Sequence, residues 1–339
     1  MPPSEILLGL VIVAALVLYV LLGGADFGGG VWDLLAFGPR RAAQRRAIEQ
    51  AIGPIWEANH VWLILVTVVL FTAFPPAFAA IATALHIPLT LFLLGVVLRG
   101  SAFTFRATDH DPDRAQRRWG LAFSLASLVS PLLLGAAVGA IASGAIRVDA
   151  RTGLVSGGFV APWLTPFSAM IGLYCLALCA FLAATYLTAE VTDPALREDF
   201  RRRALGAGVA VGACALGAFL AAETGAPRIR EGLAGRAWAL PFHVATALAA
   251  VGALLALWRR RFRVARVLAG AQTLLILVGW ATAQYPFLVV PDLTLWNVAA
   301  PPRTRELLLW VLAAGVPVLV PSLLLLFRVF KAERRAADG

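Results

Sequence analysis

Redox-active and metal-binding side chains are scarce in this sequence. Its 339 residues include three cysteines, two methionines and four histidines. Cys175, Cys179 and Cys214 all fall in apolar stretches without a CxxC pair or a nearby histidine, so they read as small packing residues rather than a metal site. Charge is scarce as well: 14% of residues are charged and 60% are hydrophobic, with a mean hydropathy of +0.82. That balance excludes a soluble domain. P-loop, GxGxxG, CxxCH and HExxH patterns are missing, which removes the commonest nucleotide, c-type haem and zinc-hydrolase readings.

What the chain has is length in apolar runs. Nine stretches are expected to cross a membrane: 6–37, 52–74, 78–99, 119–145, 160–188, 204–222, 238–258, 264–284 and 307–328. The first is too long for one straight crossing and must tilt or project. A polar basic loop follows it rather than a small-residue cleavage site, so it is expected to remain as a span. Basic residues concentrate in alternate loops: Arg40 to Arg46, Arg99 to Arg118, Arg197 to Arg203, Arg259 to Arg266, and the tail from Arg328. The positive-inside rule therefore predicts an outside N-terminus and a cytoplasmic C-terminus. The net charge of +10 follows from this asymmetry and points to anionic lipid headgroups, not nucleic acid.

The stretch IGPIWEANHVWLILVTVVLFTAF, 52–74, places Glu57, Asn59 and His60 inside an apolar run. On a helix Glu57 and His60 share a face and Asn59 lies beside it. A carboxylate at membrane depth is expensive and usually faces protein or water. Two readings stand: a buried proton-handling carboxylate, or an interfacial group in a girdle with Trp56 and Trp62. The first stretch carries GGADFGGGVWDLL, with glycines closely flanking Asp26. Asp26 is either a second such carboxylate or one that pairs with an arginine or caps a helix break. Asp33 reads as an interfacial partner for the following arginines. Topology puts Asp26 and Glu57 in the cytoplasmic half, on adjacent antiparallel helices.

Phe74-Pro75-Pro76 predicts a tight outside turn, and Pro88 a kink in the third span. His86 reads as a packing residue, the alternative being a haem ligand. The loop 106–118 mixes acids and arginines without calcium-loop spacing. The outside loop 146–158 is the best linker candidate, and AQYPFLVVPDLTLWNVAAPP suggests an ordered interfacial loop. His60 and His243 are expected at opposite ends of the membrane, so they do not share one iron.

Four stretches carry a resemblance: GADFGGGVWDLL, IGPIWEANHVWLI with FTAFPPAFA, FLAATYLTAE, and QYPFLVVPDLTLW. With them the chain resembles subunit II of the cytochrome bd quinol oxidases along essentially its whole length. The resemblance implies an all-α membrane protein of two four-helix bundles plus one helix, expected as 1–150, 151–290 and a final segment 291–339. It implies a respiratory complex that oxidises quinol and reduces oxygen to water. Two haems b and one haem d are expected on the partner, subunit I, and none on this chain; with only Met1 and Met170, His/Met ligation here is disfavoured. A small single-helix third subunit is a further possible partner. The positions of Asp26 and Glu57 match acidic positions linked to proton access in that family, with His60 and Asn59 beside Glu57. Some members carry Asp where Glu57 stands. A proton- or ion-coupled transporter is the competing class, since broken helices and buried carboxylates suit it too.

Overall fold

The computed structural model describes residues 3–52, 56–108, 112–149 and 151–337. Its first helix, α1 (Ser4–Leu34), is continuous through all the glycines of GGADFGGG. At ~1.5 Å per residue it is about 46 Å long, which exceeds the bilayer core and accounts for the long first apolar run. Beyond Gly23 the helix is buried on nearly every side. The glycines make this possible: a Cβ at Gly28 would stand 1.9 Å from the carbonyl oxygen of Cys179.

A short amphipathic helix, α2 (Arg41–Ile52), follows. The expected second span then divides into α3 (Trp56–Asn59) and α4 (Val61–Ala73), joined at His60. Alone, α4 reaches only about 20 Å, so the crossing needs both pieces. At Phe74 the chain turns by 120° into α5 (Pro75–Ala84), which confirms the turn expected at the proline pair.

The third span departs from expectation. It breaks at Leu85, and α6 (His86–Thr108) starts afresh. Pro88 therefore lies in the first turn of α6, where a missing N–H costs nothing, and is no mid-helix kink. The remaining helices are α7 (Pro112–Ser143), α8 (Pro166–Glu190), α9 (Pro194–Gly225), α10 (Pro227–Ala234), α11 (Ala239–Trp258), α12 (Phe262–Gln284) and α13 (Pro302–Ala337). Among the described residues eight helices are long and apolar enough to span a membrane, or nine if the bent pair Glu57–Ala73 and Pro75–Ala84 counts as one. The chain is an all-α integral membrane protein.

Helix α8 packs against α1, α7, α9 and α12 and is the central post. Its Ala180 carbonyl accepts a hydrogen bond from Trp32 Nε1 at 2.7 Å. The start of α9 is set by Asp193, whose carboxylate accepts from the backbone N–H groups of Ala195 and Leu196. The loop 146–158 is no loose linker. Its strands β1 (Arg147–Val148) and β2 (Val155–Ser156) form an antiparallel hairpin. Asp149 caps the hairpin turn: the backbone N–H groups of Thr152 and Arg151 hold its carboxyl below the usual range. Strands β3 (Phe287–Val289) and β4 (Leu293–Thr294) order the last outside loop, and Asp292 ties it to the first hairpin through Arg147 at 2.9 Å.

Of the loop 106–118, Asp109, His110 and Asp111 lie outside the described residues, and the flanks are helical, in α6 and α7. Helix α13 is nearly unpacked: only 6% of its apolar window is buried. Near its start, an ion pair between buried Arg305 and partly exposed Glu5 holds it to α1.

Candidate functional site

The site is assembled where α1, α3, α4 and α6 meet. Helical spacing on α1 sets Tyr19 two turns from Asp26 and Phe27. The short α3 ends in a tight turn in which the His60 N–H donates to the Glu57 carbonyl at 3.2 Å. That turn separates three neighbouring polar residues. Asn59 points inward and is 2% exposed on a residue basis. His60 is half-buried, and Glu57 is exposed.

Asn59 Nδ2 donates to Asp26 Oδ2 at 2.6 Å, within the buried interface of α1 and α3. Asp26 is itself 5% exposed. Close by lies a group the sequence reading misplaced. Arg99 was expected in a cytoplasmic basic loop; it stands instead on α6, inside a candidate span, and is 1% exposed. Its guanidinium lies over the Phe27 ring at 4.8 Å and the Phe123 ring at 5.3 Å. It is within electrostatic reach of Asp26. A signal was available: VVLRGSAF sets one arginine in an apolar run, and a buried acid needs a compensating cation.

The imidazole of His60 packs against Tyr19 and Phe27, with ring centroids 5.8 and 6.1 Å away. Its Nδ1 is 3.4 Å from the Tyr19 hydroxyl. Tyr19 was not singled out from the sequence. Glu57 and His60 also line a large cavity of about 1090 Å3, whose walls include Ile64, Phe92 and Val96. The structure thus joins Asp26, Asn59 and Arg99 into a buried polar cluster. It leaves Glu57 on the open side of α3, with His60 between the two. Glu57 is exposed, whereas Asp26 is buried behind Asn59.

The other predicted positions fall elsewhere. Asp33 faces Arg45, as expected of an arginine partner, but is buried. His86 Nδ1 bonds the Thr83 carbonyl, and His243 Nε2 bonds the Leu233 carbonyl. The described residues contain no group of three or more His, Cys, Asp or Glu side chains placed to hold a metal ion. Cys179 is packed against Gly24 and Gly28 and serves the α1–α8 contact.

A model of the family "cytochrome bd terminal oxidase subunit II" matches residues 4–330. The chain belongs to that family. A curated relative, the cytochrome bd-I ubiquinol oxidase subunit 2 of Escherichia coli K12, is 29% identical over 170 residues, covering 50% of this chain and 44% of that protein. The aligned stretch thus spans less than half of that relative. The putative cytochrome bd menaquinol oxidase subunit II of Bacillus subtilis is 23% identical over 327 residues, covering 94% of this chain and 93% of its own. Among solved structures, a chain of the bd oxidase from Geobacillus thermodenitrificans has a TM-score of 0.80 at 22% identity, covering 96% of this chain and 98% of that one. That likeness shows a shared fold. Family membership places the described cluster in a membrane subunit of a terminal oxidase, and nothing in the comparisons favours the transporter reading.

Proposed function

We propose that this chain is the subunit of a quinol:oxygen oxidoreductase that supports a haem-bearing subunit I and admits protons to it from the cytoplasm. The observation that carries the proposal is the buried Asp26–Asn59–Arg99 cluster, with the exposed Glu57 on the same short turn as Asn59 and His60. Oxygen reduction consumes protons in a dry site, so carboxylates and water must deliver them. Glu57, on the open side, is the exchange point. His60 and Asn59 orient the path inward. Asp26 holds the inner position, with Arg99 balancing its charge.

The side chains here do not fit a b-type haem with paired axial ligands. Of the described histidines only His60 lines the large cavity, its Nδ1 faces Tyr19, and Met170 does not line it. The two haems b and one haem d are accordingly assigned to the partner, and no step is routed through them in this chain. A small single-helix subunit and membrane lipid are proposed as further neighbours. The exposed apolar sides of α4, α6 and α13 support a membrane setting with room for a partner. We place the chain in the bacterial cytoplasmic membrane, N-terminus outside and C-terminus inside. Residues 1–150 and 151–290 are proposed as two four-helix bundles, with 291–339 as the closing segment.

The test is Glu57→Gln in the assembled complex. Oxygen consumption is expected to fall with the haem spectrum and assembly unchanged, and Glu57→Asp to retain much of the activity. Wild-type turnover with an unchanged pH dependence would leave Glu57 without a part in proton delivery.

A further inference from the structure

We propose that the α1–α7 interface carries a second proton inlet, running from Asp33 beneath Arg45 through Ser124 and Ser127 to the Arg99–Asp26 cluster. It rests on the proton-delivering role proposed above, but enters at a different place from Glu57.

Asp33 lies in the last turn of α1, where a carboxylate opposes the helix dipole. It is also buried, at 1% exposure. Both facts carry a cost, which Arg45 and Ser124 offset in part. Its Oδ2 accepts a hydrogen bond from Ser124 Oγ at 2.9 Å. On the outer side Arg45 Nε lies 3.8 Å from the same oxygen and donates to the Asp33 carbonyl at 3.3 Å. Arg45 is partly exposed, and in the proposed inlet it is the side chain that moves aside to admit water.

Inward from Asp33, α7 presents Ser124, Ser127 and Ser130, all fully buried. Ser127 Oγ and Ser130 Oγ have no hydrogen-bond partner among the described residues. An unsatisfied buried hydroxyl costs about 1–3 kcal/mol, unless a water or a passing proton satisfies it. Steps of three residues set successive hydroxyls about 4.5 Å apart along the axis, within the span of one bridging water. Ser127 lies against Gly30, where a Cβ would meet its Oγ at 2.2 Å. Gly30 is one helical turn from Asp26 and one from Asp33, so all three share a face of α1. Phe123, one turn before Ser127, carries the Arg99 guanidinium over its ring. The serines therefore lie along the seam between the two buried acids of α1: Ser124 bonds Asp33, and Ser127 stands at Gly30, one turn from Asp26.

Proton balance is simple. Asp33 takes a proton from water when Arg45 moves aside. The Ser124 hydroxyl, which donates to Asp33 at rest, turns inward; its oxygen then takes the Asp33 proton as it releases its own to a bridging water. That water protonates Ser127 as Ser127 releases its own proton to a second water, which delivers it to the Asp26 carboxylate. One proton enters and one arrives, with no electron moved, and Arg99 stays charged throughout.

The experiment uses the assembled oxidase complex with Asp33→Asn, Ser124→Ala, Ser127→Ala, Glu57→Gln and the Asp33→Asn/Glu57→Gln pair. Oxygen consumption is measured across pH, with haem absorption and thermal stability as controls. Asp33→Asn and Ser127→Ala are expected to slow turnover about twofold, as closing one of two parallel routes does, and most at high pH where protons are scarce, with haem content unchanged. The double variant should be slower than either single one. Wild-type turnover and pH profile in Ser124→Ala and Ser127→Ala overturn the inlet; each removes one oxygen and keeps the packing, so they decide the matter even if Asp33→Asn fails to assemble. A double variant no slower than its slower parent overturns the claim of a second route. A slowed Ser127→Ala beside a normal Glu57→Gln supports the inlet and removes Glu57 from the route proposed above.

Discussion

Asp26→Asn tests the buried cluster most directly. The substitution keeps the shape of the side chain and removes one negative charge. Arg99, at 1% exposure, then sits in the membrane interior without its acid. A guanidinium does not shed its proton to relieve this. Removing one partner of a buried charge pair in contact costs about 3–5 kcal/mol, an upper bound for Asp26 and Arg99, which interact through space. With an unfolding entropy of roughly 2 cal/mol/K per residue, that corresponds to a fall of about 4–7 °C in Tm for a chain of this length. Arg99→Met should be milder, because the Asp26 carboxyl can take up a proton and become neutral while Asn59 still bonds it. The Asp26→Asn/Arg99→Met pair leaves no stranded charge, and should be more stable than the sum of the singles by more than about 1 kcal/mol. The assay is thermal unfolding of the purified complex, followed by haem absorption. Additive losses in the cycle, or a cost under about 1 kcal/mol for Asp26→Asn, would refute the coupling of Asp26 to Arg99.

Three further outcomes are expected. Gly28→Ala should loosen the α1–α8 contact and destabilise the complex by at least about 1–3 kcal/mol, read as reduced Tm and yield, because a methyl group there runs into the Cys179 carbonyl; a neutral effect would mean the two helices are not held this close. Reporter fusions after Arg118 and Arg203 should read cytoplasmic and one after Gly153 outside, and an outside signal at either arginine would overturn the orientation. His86→Ala should leave the haem content of the complex unchanged, since its Nδ1 is engaged by the Thr83 carbonyl; loss of a haem would move a ligand onto this chain.

Much of the fold is legible in composition and hydropathy alone. Bilayer thickness sets the length of an apolar helix, so spans, the proline turn at Phe74 and the all-α class follow from one-dimensional pattern. The motif residues Asp26, Asn59 and His60 were visible for the same reason, as polar groups out of place in apolar runs. What the pattern does not hold is direction and distance. Glu57, Asn59 and His60 are near neighbours in sequence, and only the tight turn after α3 sends Asn59 to Asp26 and Glu57 outward. Arg99 counts as a loop arginine by its position after an apolar run; it is a buried cation because α6 continues through it to Thr108 and packs it on Phe27 and Phe123. Likewise, Asp33 and Ser124 are 91 positions apart, and only the crossing of α1 with α7 makes them a hydrogen-bonded pair. Transfer free energy is paid locally, residue by residue, so sequence records it. Charge compensation in a low-dielectric interior depends on which helices touch, and that is decided in three dimensions.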